Sequence, residues 1–222
     1  MKFISRLVIL PIVLAMGASV AQPFSSRFQD DLASRKFQGK FRGGCKTVML
    51  NLPTESFSSV TDLRAKLLVP DAKMRSKYSD IRKPTTERKS EEQHLVSVTA
   101  NLFAFKFEDG NAPATGDNDF HVILGDDKTK AETLLNIEVS GLPQTGDPGS
   151  KFKTIRQQFL NILAQNNLKA KDAFQKFKIP VKVRITGSLY FDADHAAGQV
   201  GPAGLRPTTI WEIHPVQKIE VL

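Results

Sequence analysis

Asp119 and His121 stand two residues apart in DNDFHVIL, and Glu212 and His214 repeat that spacing in WEIHPV. Side chains alternate along a strand, so each pair leaves a single sheet face. Between the two pairs, Asp192, Asp194 and His195 end the segment VKVRITGSLYFDADH. Imidazoles beside carboxylates can ligate zinc or a similar divalent ion, or act as a general acid and base. The same residue types also cap strand ends and hydrogen-bond across neighbouring strands. No HExxH, paired CxxC, P-loop or GxSxG motif accompanies them. The expectation is therefore a binding or structural cluster, with Glu212 and His214 chiefly tying the closing strand to its neighbours.

Lys182, Arg184 and Tyr190 form a second candidate, a basic and aromatic outward face on one strand that would touch a polyanion. Nucleic-acid grooves join such cations to several aromatic platforms. With one Trp and two Tyr in the chain, specific nucleic-acid binding is not expected.

The elements that must position these residues follow from apolar periodicity. In 94–107, Val96, Val98 and Ala100 face one way, and Phe103, Phe105 and Phe107 take the opposite parity, as a bulge or bend near Asn101 would produce. Phe120, Val122 and Leu124 oppose Asp119, His121 and Ile123, and Leu135, Ile137 and Val139 oppose Leu134, Asn136 and Glu138. The period then changes. Phe152, Ile155, Phe159, Ile162 and Leu163 fall on one helical stripe, with Ser150 as the expected N-cap and the helix running over 151–168. A fourth strand over 181–191 and a last one opening at Trp211 complete the set, and Pro215 predicts an edge or a bulge. Five strands with one helix between the third and fourth predict a mainly β protein, an OB-like barrel.

Ahead of this set, 22–44 is rich in Ser, Gly, Arg and Lys without a sustained period, and 75–93 is almost wholly polar. The first reads as a partly disordered extension and the second as a linker, with a strand expected over 45–52 and a helical or extended piece over 60–69. At the start, Lys2 and Arg6 precede the apolar run 7–16, and Ser19-Val20-Ala21 follows, the pattern of a secretory leader cleaved after Ala21. An apolar run of about ten residues is short for a hydrocarbon core of roughly 30 Å, so no integral span is expected after cleavage. The organisation expected is a leader over 1–21, a basic extension and linker over 22–93, and the β domain over 94–222. The chain carries 31 basic and 23 acidic residues. Without the leader's Lys2 and Arg6 the charge is +6, from 15 basic and 9 acidic residues in 22–93 against 14 of each in 94–222. Charge therefore points to the extension, not the domain, as the part that would meet an anionic ligand or envelope surface. Cys45, the sole cysteine, has no intrachain partner for a disulfide.

DNDFHVIL, LNIEV, VKVRITGSLYFDADH and WEIHPVQKIEV together resemble a loosely defined family of uncharacterised exported bacterial proteins with a predicted OB-like domain. The resemblance covers about 94–222, and FDADH with WEIHPV is its most distinctive part. It implies a periplasmic or secreted location and carries over no catalytic residues. The functional expectation is a non-enzymatic binding or interaction module. A metal-dependent hydrolase of phosphate esters, phosphodiesterase- or nuclease-like, ranks second, and a structural envelope component third. Cofactor and ligand stay open at this point.

Overall fold

The computed structural model describes residues 26–109, 116–145 and 149–222. The leader over 1–21, its cleavage point and residues 22–25 lie outside the described residues. A six-stranded mixed sheet dominates, in the order β1-β2-β3-β4-β6-β5, with β5 pairing back onto β2. Its strands are β1 (Thr54–Phe57), β2 (Leu95–Phe107), β3 (Phe120–Gly125), β4 (Leu134–Val139), β5 (Gln175–Phe191) and β6 (Trp211–Val221). The β1–β2 and β4–β6 pairs are parallel and the others antiparallel. Because β5 returns to β2, strands β2 to β6 form a closed ring, and β1 adds to it from outside.

The ring is filled by the side chains that alternation assigned to the interior. Val96, Val98, Phe105, Phe120, Val122, Ile137, Ile185, Leu189 and Ile213 are all buried in one core. The helix between β4 and β5, here α5 (Gly149–Gln165), lays Phe152, Ile155, Phe159, Ile162 and Leu163 against the sheet. It begins at Gly149, so Ser150 lies within its first turn and does not cap it. In β2 the register shifts between Leu102 and Ala104. That bulge exchanges the faces as expected but sends Phe103 outward, where it packs with Ile123, Leu134 and Leu205. Pro215 sits at a bulge, as expected, just past the Glu212–Ile213 stretch where β6 pairs with β4. β6 runs between β4 and β5, and its ladder jumps from Ile213 opposite Leu189 to Val216 opposite Gly187.

The segment ahead of β2 differs most from expectation. It folds as α1 (Ser26–Ser34), α2 (Gly43–Lys46), β1, α3 (Val60–Lys66) and α4 (Asp71–Lys77), and a 3-10 turn over Ser90–Glu92 leads into β2. The strand expected over 45–52 is replaced by α2 and irregular chain, with β1 following at Thr54. Leu32, Ala33, Val60, Leu63, Met74 and Ile81 join the same core as the ring, so 26–93 is neither a mobile tail nor a solvated linker. Its charges hid this, because a few of them are satisfied internally while the rest face solvent. Arg42 and Glu92 form a buried ion pair at 2.5 Å, and Arg88 donates to the carbonyls of Cys45, Leu189 and His214. Docking is polar as well as apolar. The Asp126 carboxylate accepts from the Val60 and Thr61 amides at the start of α3, each at 2.8 Å. Asp71 opens α4 by accepting from the Thr209 hydroxyl and the Ile210 amide, and the Trp211 indole donates to the Val69 carbonyl. The Asp126 contacts satisfy backbone donors at the start of α3 that would otherwise be orphaned. No helix among the described residues is long and apolar enough to cross a membrane.

Candidate functional site

The outward faces of β3, β4 and β6 carry a continuous polar layer. Alternation puts His121 there from β3, Asn136 and Glu138 from β4, and Glu212 and His214 from β6, with Asp119 just ahead of β3. Strand register lines them up, with His121 opposite Glu138 and Asn136 opposite Glu212. Glu138 is the hub. Its carboxylate oxygens lie 3.1 Å from His121 Nδ1 and 2.8 Å from His214 Nδ1. Glu212 stands 3.0 Å from the same His214 nitrogen, and the Asn136 amide donates to both glutamates at 3.0 and 2.8 Å. His121 Nε2 lies 3.4 Å from Glu108 and 3.5 Å from Asp119.

The layer is sealed. Asp119 and His214 are 0% exposed and Glu138 1%. The cover comes from the stretch read as an extension. Residues 36–38 strap onto the chain beside β4 and β3, with the Phe37 amide donating to the Leu142 carbonyl and Gln38 to that of Asp117. The strap closes tightly at Gly141, where a Cβ would meet the Phe37 backbone at 2.6 Å. Lys46 from α2 reaches Asp117 at 3.0 Å.

Burial and crowding set the charge states. Asp119 is pushed well above the usual carboxylate range by burial and then by Glu138. Glu212 is raised by burial and by its neighbours Glu138 and Asp192. Burial also opposes charge on Glu138, but His121, His214 and Lys46 outweigh it and hold that carboxyl well below its ordinary value. For His121 and Lys46, desolvation is likewise outweighed, chiefly by Glu138, and both are raised. One carboxyl held low beside His121 and Lys46, with two others pushed up, is the pattern of like charges sharing a site.

Of the residues singled out in the sequence, Asp119, His121, Glu212 and His214 meet in this layer. Asp192 is buried at its edge beside Glu212, and its carboxylate pairs with His195 Nδ1. His195 is the accessible member, its side chain 41% exposed. With Asp194 it lines an open cleft of about 550 Å³ that also takes in Asp71, Arg75, Arg82 and Ile210. A small cavity of about 10 Å³ shares His195 with the cleft and Asn136 and Glu212 with the layer, so the two are neighbours. Lys182 and Arg184 are exposed on β5 as expected, but Tyr190 is not part of their face. It is 1% exposed, with the Arg42 guanidinium 4.7 Å from its ring centre and Lys46 at 5.6 Å, because the 42–50 segment covers that end of β5. The stacked polyanion platform is therefore absent from this strand.

Sequence reasoning passed over Asn136, Glu138, Glu108 and Lys46 as site residues. Asn136 and Glu138 were findable, since they share the i, i+2 spacing and outward parity that singled out the other pairs. Lys46 carried no such signal, because only tertiary packing brings α2 onto the sheet. No family model, curated protein or solved structure matches this chain.

Proposed function

We propose that the chain is an exported, OB-like, non-enzymatic binding module whose ligand seats in the cleft between α4 and the loop after β5. The OB-like reading is supported by the ring. β2 pairs with both β3 and β5, β4 runs parallel to β6, and α5 crosses between β4 and β5, which is the connectivity of that barrel type. Export is supported by the leader pattern over 1–21, and the FDADH and WEIHPV segments support kinship with exported bacterial proteins of this kind.

One observation carries the non-enzymatic reading. Of the residues singled out for chemistry, Asp119, His121, Glu212 and His214 are buried beneath 36–50, out of a substrate's reach. Binding is left to the cleft, where exposed Arg82, half-exposed His195 and Arg75 stand with two acids. Arg75 holds the rim by donating to the Ala193 and His195 carbonyls at 3.1 and 2.6 Å. The hydrolase reading keeps one point in its favour, the Asp192–His195 pair, in which a carboxylate orients an imidazole toward solvent. Turnover of bis(p-nitrophenyl) phosphate with added zinc, manganese or magnesium separates the two. The expected result is no hydrolysis above buffer. Turnover that His195→Ala abolishes would replace binding by catalysis.

A further inference from the structure

Asp119 is 0% exposed, and neither of its carboxylate oxygens accepts a hydrogen bond among the described residues. A buried carboxylate without hydrogen bonds is costly, and native structures retain one where something else answers it. The nearby permanent cations are engaged. Lys46 sits on Asp117, and Arg156 directs its donors to the carbonyls of Leu32, Asn118, Val139 and Ser140. His214 repeats the pattern, for Nδ1 meets Glu138 and Glu212 while Nε2 is buried and unpartnered. Two sets of donor atoms converge on the same carboxylate. One atom from each of Asp119, Glu138 and His214 lies within 4.8 Å of the others, and so does one from each of Glu108, Asp119 and His121.

We propose that this layer binds a divalent transition-metal ion, of the zinc class, held by Asp119 together with either Glu108 and His121 or Glu138 and His214. Mixed imidazole and carboxylate donors suit zinc and its first-row neighbours, whereas calcium and magnesium take oxygen alone. The surroundings match what such sites need. A ligating imidazole orients best when its other nitrogen meets a carboxylate, and His121 has that arrangement, with Nε2 facing Glu108 and Asp119 and Nδ1 3.1 Å from Glu138. A bound dication also removes the conflict among Asp119, Glu138 and Glu212, three buried acids with Lys46 as the nearby lysine. Since the strap over 36–50 closes above the layer, the ion is structural. It ties β3, β4 and β6 together and exchanges only when the strap opens. This site is separate from the cleft, so its failure leaves the cleft reading standing, and turnover at His195 leaves the metal standing.

The test uses the chain purified without an affinity tag. Elemental analysis should find about one equivalent of a first-row divalent metal. Chelation should lower the melting temperature, and added Zn²⁺ should restore it. Co²⁺ in the stripped protein should give visible d–d absorption from mixed nitrogen and oxygen ligation. Asp119→Asn should lower metal affinity by roughly tenfold or more, while His94→Ala, which removes the histidine paired with Glu55 outside the layer, should leave it unchanged. If Asp119→Asn fails to fold, the metal content and cobalt spectrum of the unaltered chain decide. Absence of metal together with no melting shift on adding Zn²⁺, Mn²⁺ or Co²⁺ overturns the proposal, as does undiminished binding by folded Asp119→Asn.

Discussion

Glu92→Ala isolates the interaction that holds the strapped segment to the ring. The Glu92 carboxylate is fully buried and accepts from the Arg42 guanidinium at 2.9 and 2.5 Å, from the Phe191 amide at 2.8 Å and from the Lys89 amide at 2.6 Å. Truncation leaves a guanidinium with 2% side-chain exposure uncompensated, which costs about 3–5 kcal/mol. The two orphaned amides push toward the upper end, at about 1–3 kcal/mol for each that water does not reach. Against a total stability of roughly 5–15 kcal/mol, that is a third or more. Trp211 is the natural probe, being the sole tryptophan, buried, and hydrogen-bonded to Val69 across the boundary between the strapped segment and β6. Urea unfolding followed by its fluorescence should show a midpoint lowered in proportion, with the slope unchanged. Arg42→Met combined with Glu92→Leu should be less destabilising than Glu92→Ala alone, because no charge is left buried. It should not reach the stability of the unaltered chain, since the Thr86, Glu87 and Phe191 carbonyls lose their donor. A loss below about 1 kcal/mol for Glu92→Ala, the size typical of an exposed pair, would refute the reasoning and return 26–93 to the status of a dispensable tail.

Two further outcomes are expected. A chain beginning at His94 should show no cooperative unfolding transition, because Val60, Leu63, Met74 and Ile81 are buried in the shared core and each contributes about 1.5–3 kcal/mol. A sharp thermal transition in that fragment would show that the ring is self-sufficient. The Asp192–His195 pair should make stability depend on pH. Asp192 raises the His195 pKa above its ordinary 6.5, so that contribution is fully present below about 6.5 and is lost as pH rises through the folded-state value. His195 in turn holds Asp192 below its ordinary 3.8 despite burial, a contribution present above about 3.8 and lost as pH falls through the depressed value. His195→Ala should flatten the alkaline decline of the melting temperature, and an unchanged pH profile would show that the pair contributes nothing.

The ring was legible because its strands alternate cleanly and α5 carries a single apolar stripe, so Phe120, Val122, Ile185 and Phe159 could be placed in a core from parity alone. The bulge in β2 could be anticipated from the parity change around Asn101, and that at Pro215 from a missing donor. The strapped segment was not legible, for a physical reason. Low hydrophobicity and a high density of charge signal disorder on the assumption that charges face water. Here Arg42 and Glu92 are buried and pair with one another, and Arg42 and the half-buried Arg88 donate to carbonyls supplied from β5 and β6, distant in sequence. Tyr190 was misplaced by the same gap, since its outward parity was right but Arg42 and Lys46, which cover it, lie far earlier in the chain.

That cover changes what the outward face of β3, β4 and β6 can be. Left to solvent, His121 and Glu138 would titrate near their ordinary values. Under the strap the layer loses water, and each charge must be answered from within, which explains how Glu138 can be held ionised while Asp119 and Glu212 are pushed toward neutrality only a few ångströms away. The apolar core and this polar layer therefore lie back to back on the same three strands and constrain one another. A one-residue slip of β6 would send Trp211 and Ile213 outward into the carboxylates and Glu212 and His214 into the phenylalanines of the ring. Register is specified twice over on the closing strand, once by burial and once by charge, and WEIHPV is where both demands fall on adjacent residues.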